Sequence, residues 1–113
     1  MRRIHRHGSS TPLNDSLESK AIRRVIGHAA IPVSSTKGAH GHALGASGAM
    51  ELVLCAMAIE RGVLPPTRNL FQRAADCDLD VIASVPRERR VDRVMSNSFG
   101  FGGVNASVVL GRV

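Results

Sequence analysis

The side chains best suited to chemistry lie in a polar loop, residues 34–42, that runs directly into an apolar segment, residues 43–59. The loop contains Lys37 and His42, and Glu51 is the only charged residue of the apolar segment. A buried carboxylate is costly unless it is paired, so we expect an ion pair between Lys37 and Glu51. At the first turn of a helix the neutral imidazole is favoured and can donate to an oxyanion, which makes His42 a candidate catalytic residue. A tight glycine turn with bystander histidines is the alternative.

Two elements are expected to hold this loop in place. Residues 43–59 are apolar or small on every side, which predicts a helix that is buried all round and ends near Arg61 and Gly62. The short run 31–34 before the loop predicts a strand that leads into it. The candidate site would then lie between the end of a strand and the start of a buried helix.

Hydrophobic patterning outlines the elements on either side of the loop. Residues 1–7 show neither a helical nor a strand period. A helix capped by Asn14 or Asp15 and ended by Gly27 would share one apolar face, made by Leu17, Ala21, Ile22, Val25 and Ile26. Residues 79–83 predict an edge strand, and the runs 93–96 and 106–110 predict a hairpin with a long tip at 97–105.

The hairpin tip is the second candidate for chemistry. It has neither the lysine nor the following helix of a phosphate-binding loop. Its glycines, Gly100, Gly102 and Gly103, permit a strained turn that exposes backbone N–H groups, while Phe99 and Phe101 supply apolar bulk. The tip is therefore either part of an oxyanion hole or a purely structural turn, and spacing alone favours the structural turn.

Two H-x-H pairs raise the question of a metal site. His5 with His7 and His40 with His42 could together offer nitrogen ligands to zinc. However, no carboxylate stands beside either pair to orient the rings, as is usual for histidines that bind metal. We therefore expect no metal at these histidines.

Composition limits the class of protein. With 113 residues the chain is at most one domain, and its aromatic content of 3%, without Trp or Tyr, disfavours base stacking on nucleic acid. A net charge of +6 leaves open a small basic nucleic-acid-binding module or an acidic protein partner. Cys55 and Cys77 have neither metal-site nor disulfide spacing, which suggests free thiols in the cytoplasm. No signal peptide or membrane span is expected.

Three motifs resemble, in order and spacing, the C-terminal half of the β-ketoacyl-[acyl-carrier-protein] synthases, the elongating condensing enzymes of fatty acid and polyketide synthesis. The motifs are H-G-S-S-T-P-L-N-D, S-S-T-K-G-A-H-G-H-A-L-G-A-S-G-A-M-E and S-N-S-F-G-F-G-G-V-N-A-S, and P-P-T-x-N-L followed by C-D-L-D agrees. The resemblance covers residues 7–113, whereas residues 1–6 replace an apolar strand of the family with R-R-I-H-R. It implies a thiolase-like α/β fold, of which this is the C-terminal half only, a mixed sheet with a buried central helix.

The resemblance also implies a role for each matching residue. His7 and His42 resemble the catalytic histidines, Lys37 the lysine that orders the site, and Phe101 the gating residue whose N–H helps form the oxyanion hole. The remaining matches concern substrate and structure. Ser9 and Thr11 would hold the phosphopantetheine arm, Phe99 and Gly102 would line the substrate site, and Glu51, Ser96 and Asn97 would surround a structural cation or form an ion pair.

The implied reaction is a decarboxylative Claisen condensation of an acyl thioester with malonyl-acyl carrier protein, without a redox or nucleotide cofactor. The expected partners are acyl carrier protein and an N-terminal half that carries the nucleophilic cysteine, with a homodimer when complete and no nucleic acid or membrane. Neither Cys55 nor Cys77 has the setting of an activated thiolate, so the chain should be inactive alone. Ser9 and His40 each replace a threonine of the family. A non-condensing homologue of the chain-length-factor type is the alternative within the family.

Overall fold

A computed structural model describes residues 1–113. The helices are α1 (Pro12–Ile26), α2 (Lys37–His40) and α3 (Ser47–Arg61), with short 3-10 turns at Leu44–Ala46 and Phe101–Gly103. The strands are β1 (Arg3–His5), β2 (Pro32–Ser34), β3 (Val63–Leu64), β4 (Asp80–Val81), β5 (Arg87–Glu88), β6 (Arg93–Phe99) and β7 (Asn105–Gly111). No helix is long and apolar enough to cross a membrane.

Five strands form a mixed sheet in the order β4-β2-β1-β6-β7, and β3 pairs with β5 in a separate two-stranded sheet. β4, β2, β1 and β6 are parallel, whereas β7 runs antiparallel to β6. Helix α1 packs its Ile22 on the cluster around Ile4 and Val33, while α3 contributes Cys55 and Ala58 to a second cluster. This confirms the predicted α/β fold with a mixed sheet and a central helix.

Strand β1 corrects the interpretation of the first seven residues, in which no regular element was expected. Arg3, Ile4 and His5 form a strand between β2 and β6, and all three are fully buried. Ile4 faces helix α1, whereas the side chains of Arg3 and His5 lie on the opposite face of the sheet. Buried parallel strands usually have a continuous apolar sequence. Because this central strand has polar residues at alternate positions, the sequence pattern does not predict it.

Helix α1 is capped differently from the expectation. Thr11 is the N-cap, and its hydroxyl accepts a hydrogen bond from the backbone N–H of Asn14 at 3.3 Å. Pro12 follows at the first helical position, where a missing N–H costs nothing. The helix therefore begins before Asn14 and Asp15, and neither residue caps it.

The buried face of α1 is also partly different. Ile22 is buried as expected, but Leu17 and Val25 are exposed. Glu18 and Ser19 are buried instead. The helix is turned so that a carboxylate points at the β1 layer, which apolar periodicity alone does not predict.

Helix α3 begins at Ser47, after the 3-10 turn, and ends at Gly62, which has φ 66° and donates its N–H to Ala58 O at 3.1 Å. Only one side of the helix is buried within this chain, because Met50 and Val53 are exposed on the other side. The expectation of burial on every face is thus not met by the chain itself.

The hairpin is confirmed, with longer strands and a shorter tip than expected. β6 and β7 pair over seven residues each, from Arg93 opposite Gly111 to Phe99 opposite Asn105. The tip is closed by a hydrogen bond from Gly100 N–H to Val104 O at 2.7 Å. The predicted strands at 31–34 and 79–83 are present as β2 and the edge strand β4.

Candidate active site

Lys37 joins the end of β1 to helix α3. Its side chain is 5% exposed and that of Glu51 is fully buried, and the ammonium group contacts Glu51 Oε1, which confirms the expected ion pair. The same Nζ donates to the backbone carbonyl of His7 at 2.6 Å. One ammonium group thus fixes the position of the His7 main chain relative to α3.

Glu18 holds the same segment from the opposite side of the sheet. Its carboxylate accepts hydrogen bonds from the backbone N–H of His7 at 2.8 Å and of Gly8 at 3.0 Å. Sequence reasoning missed this residue. The available signal was its position, since Glu18 lies four residues before Ile22 and therefore shares the buried face of α1.

His7 and His42 meet edge to face, with ring centroids 5.6 Å apart and an interplanar angle of 79°. The backbone N–H of Phe99 points at His7 Nδ1 at 3.3 Å, and the backbone N–H of Leu44 points at His42 Nδ1 at 3.1 Å. A ring nitrogen that accepts a hydrogen bond carries no proton, so the neutral form of each ring carries its hydrogen on Nε2. In their neutral forms, the two adjacent rings would each offer an Nε2–H donor.

The surroundings keep His7 neutral. Burial lowers the pKa of His7, and the positive charge of Lys37 and the neighbouring His42 lower it further. The ring is therefore uncharged near neutral pH and acts as a hydrogen-bond donor through Nε2 rather than as a cation.

His42 does not lie in the first turn of α3, where the helix dipole was expected to act on it. Gly41, at φ 80°, ends α2, and the 3-10 turn separates His42 from Ser47, the first residue of α3. The tautomer is set instead by local hydrogen bonds. Ser47 Oγ lies 3.2 Å from His42 Nδ1, in addition to the Leu44 N–H.

The two phenylalanines of the hairpin occupy different environments. Phe99 ends β6, and its ring centroid is 5.6 Å from that of His7. Phe101 is fully exposed at the tip, beside Gly102 at φ 73°. The structure thus brings Phe99 to His7, whereas Phe101 contacts neither histidine ring, and the hydrogen bond from Phe99 to His7 was not predicted from the sequence.

Ser9 and Thr11 follow His7 on the loop before α1. Their hydroxyl oxygens are 3.4 Å apart, and Thr11 Oγ1 also caps the helix. The loop is anchored by Glu18, so both hydroxyls have defined positions close to His7 in the chain.

His40 belongs to a different network from His42. Its Nε2 lies 2.9 Å from Thr36 Oγ1, which in turn lies 3.1 Å from Nε2 of the fully buried His5. Burial, with the nearby charges of Arg3 and Lys37, lowers the pKa of His5 to about 3. No group of three or more His, Cys, Asp or Glu side chains is close enough to hold a metal ion.

The three residues implied in a structural cation site lie along α3 and β6. Glu51 Oε2 and Ser96 Oγ are buried without a hydrogen-bond partner, whereas Asn97 Oδ1 accepts a hydrogen bond from Ser107 at 2.8 Å. Two of the three side chains therefore have free oxygen atoms inside the protein.

Comparison with known proteins gives one consistent result. Residues 1–71 match the family described as Beta-ketoacyl synthase, C-terminal domain. Nodulation protein E of Rhizobium meliloti is 48% identical over 112 residues, which cover 97% of this chain and 28% of that protein. The 3-oxoacyl-[acyl-carrier-protein] synthase 2 of Coxiella burnetii is 50% identical over 112 residues, covering 97% of this chain and 27% of that protein.

A solved structure of an acyl-carrier protein of a type II PKS in complex with its ketosynthase bound to the hexaketide superposes with a TM-score of 0.95 and 38% identity. The superposition covers 99% of the present chain and 28% of the chain in the solved structure. The chain thus spans between a quarter and a third of the length of the proteins it matches.

Proposed function

The chain belongs to the β-ketoacyl synthase family, and on that basis we propose that it supplies the histidine donors of a decarboxylative condensation. The complete enzyme would be a 3-oxoacyl-[acyl-carrier-protein] synthase, an acyltransferase of fatty acid or polyketide synthesis. The observation that carries the proposal is the pair of adjacent rings, His7 and His42, each of which accepts a backbone hydrogen bond at Nδ1, an arrangement that leaves Nε2 to act as the donor.

In the first step the two Nε2–H groups would bind the thioester oxygen of the malonyl group. Loss of carbon dioxide breaks the bond to the carboxylate carbon and leaves its electron pair on the substrate as an enolate. The negative charge then develops on the oxygen that His7 and His42 already contact. Because both donors are held in position beforehand, they stabilise the enolate without reorganisation at the moment of reaction.

In the second step the enolate carbon would attack the acyl thioester held on a cysteine. This attack forms the new carbon–carbon bond and a tetrahedral oxyanion. Collapse of the oxyanion restores the carbonyl, breaks the carbon–sulfur bond and releases the cysteine thiolate. We assign the Phe101 N–H to this oxyanion. Phe101 is fully exposed in this chain, so an element of the other half could approach it.

Neither cysteine of the chain suits the nucleophilic role. Cys55 is fully buried in α3, and burial raises the pKa of its thiol, which favours the unreactive protonated form. Cys77 lies in the segment before β4, where its sulfur accepts from the Ser19 hydroxyl at 3.4 Å. We therefore assign the nucleophile to an N-terminal half of the enzyme.

The exposed apolar side chains of α3 and β7 give that half a place to pack. Met50 and Val53 on α3, and Val108 and Val109 on β7, are between 37% and 60% exposed. Covering them would complete the burial that the composition of α3 predicts.

Substrates would arrive on the phosphopantetheine arm of acyl carrier protein, with Ser9 and Thr11 as hydroxyl partners of the arm and Phe99 and Gly102 beside it. The assembled enzyme is proposed to form a homodimer. A cytoplasmic location is proposed for it because the two cysteines are free thiols. The retained His7, Lys37 and His42 contacts favour this function over a non-condensing chain-length factor.

Reconstitution tests the proposal. The chain alone should neither become acylated by acyl carrier protein thioesters nor release carbon dioxide from malonyl-acyl carrier protein. Joined to a cysteine-bearing N-terminal half of a close relative, it should do both. A soluble, assembled hybrid that does neither would contradict the proposed function.

A further inference from the structure

A layer of polar side chains is buried between the sheet and α3. It contains Arg3 and His5 from β1, Ser96 from β6, and Glu51 and Cys55 from α3, and each of these residues is 0% exposed except Ser96 at 4%. The parallel register pairs His5 with Ser96, so their side chains lie on the same face of the sheet as Arg3. We call these five residues the buried polar layer.

The unpartnered atoms in this layer are complementary. Arg3 donates through Nη2 to Ser34 Oγ at 2.9 Å and is in no ion pair. Its Nε and Nη1 have no oxygen or nitrogen partner, and the Cys55 thiol lies next to the guanidinium and to Ser96. On the acceptor side, Glu51 Oε2 and Ser96 Oγ are also without partners. Buried polar atoms left unpaired are costly, so donors and acceptors enclosed in the same layer are expected to be bridged by ordered water.

The charges in the layer argue against a metal cation. The family resemblance implies that Glu51, Ser96 and Asn97 surround a structural cation, but Glu51 already contacts Lys37, and Arg3 adds a second fixed positive charge. A metal ion would raise the total to three positive charges against one carboxylate in a region of low dielectric constant. The Asn97 side-chain oxygen is moreover engaged by Ser107. These residues do not fit a bound metal ion.

We propose that the Arg3 guanidinium replaces the structural cation of this site, joined to Glu51 and Ser96 through buried water. Arg3 lies on β1, within the segment R-R-I-H-R, where the family resemblance implies an apolar strand. The guanidinium is permanently charged and offers several fixed donors, whereas a bound ion can dissociate. The site would thus hold its positive charge covalently and independently of the salt present.

The first test compares thermal unfolding in potassium chloride and in the chloride of a large organic cation at equal ionic strength. The midpoint of the parent protein should be the same in both. In Arg3→Met, which removes the charge and the guanidinium but keeps most of the apolar stem, potassium should raise the midpoint by about 5 °C if it is present at roughly ten times its dissociation constant. Arg2→Met is the matched control, because the Arg2 side chain is 61% exposed, and it should behave like the parent.

The proposal is overturned if potassium raises the midpoint of the parent as much as that of Arg3→Met, or if Arg3→Met shows no response. Each protein is measured joined to a cysteine-bearing N-terminal half of a relative, because the chain alone leaves the apolar side of α3 exposed. The melt requires assembly but no catalysis, so an assembled hybrid that melts as expected without releasing carbon dioxide would speak only against the proposed function.

A second measurement needs no variant. Crystals of the parent protein grown with thallous ion, an electron-dense substitute for potassium, should show no anomalous peak within the buried polar layer. Ordered water between Arg3 and Glu51 is expected there instead. An anomalous peak in contact with Glu51 Oε2 or Ser96 Oγ would refute the replacement even if Arg3→Met does not fold.

Discussion

Replacing Lys37 by methionine should remove the contact that ties the His7 segment to α3. The substitution keeps most of the buried stem and deletes the ammonium group, which contacts Glu51 Oε1 and donates to His7 O. Neither Glu51 oxygen would then contact a protein donor, since Oε2 contacts none already. Breaking a buried pair by removing one member costs about 3 to 5 kcal/mol.

We expect the lower end of that range for Lys37→Met, about 3 kcal/mol. Adding Glu51→Gln removes the charge altogether while preserving the shape of the side chain. The double variant should therefore recover part of the loss, with a coupling energy of roughly 2 kcal/mol between the two positions.

Urea unfolding followed by far-UV circular dichroism measures these free energies, with all variants in the same assembled form. Lys20→Met is the control, because Lys20 makes an exposed ion pair with Asp76 and its loss should leave the unfolding midpoint unchanged. Strictly additive effects of Lys37→Met and Glu51→Gln would refute the pairing argument.

Three further predictions concern pH, backbone space and exposed surface. The folded pKa of His5 is about 3, below the unfolded value of 6.5, so the unfolded chain binds more protons between these pH values. The free energy of unfolding should therefore fall by roughly 1 kcal/mol per pH unit as the pH drops from 6.5 towards 3. His5→Asn should make this pH dependence shallower. An unchanged dependence would contradict the low pKa assigned to His5. Gly38→Ala should destabilise the protein and impair activity, because the added Cβ would lie 2.3 Å from the backbone oxygen of Arg68. Gly45→Ala is the control, since a Cβ there has nothing within 4 Å. Equal melting midpoints for the two variants would argue against a tight fit at Gly38. The chain alone should bind a hydrophobic dye or aggregate through the exposed side of α3, whereas a sharp cooperative melt of a dye-free monomer would show that it needs no cover.

The parts of the site that the sequence predicted follow from local physical arguments. The Lys37 to Glu51 pair was predictable because one carboxylate in an apolar helix requires a cation, and the polar loop offered Lys37. The hairpin was predictable because two apolar runs flank a glycine-rich tip. Both arguments need only residues that are close in sequence or unique in composition.

The parts that were missed depend on contacts between distant segments. Strand β1 is buried through its neighbours β2 and β6 although Arg3 and His5 are polar, and no local pattern encodes that. The hydrogen bond from Phe99 to His7 joins residues 92 positions apart. The buried carboxylate of Glu18 accepts hydrogen bonds from two backbone N–H groups, and only the folded loop brings these groups to α1.

The central claim is that His7 and His42 act together on the malonyl group, and carbon dioxide release by the reconstituted enzyme tests it most directly. His7→Ala or His42→Ala should each slow decarboxylation of malonyl-acyl carrier protein by about 10²- to 10³-fold, the usual effect of removing one oxyanion donor, while acylation of the cysteine suffers less. His40→Ala is the control, because the His40 ring contacts Thr36 and not the histidine pair, and it should keep nearly the parent rate. Undiminished carbon dioxide release by the His42→Ala enzyme, or equal losses in the His40→Ala and His42→Ala enzymes, would contradict the account.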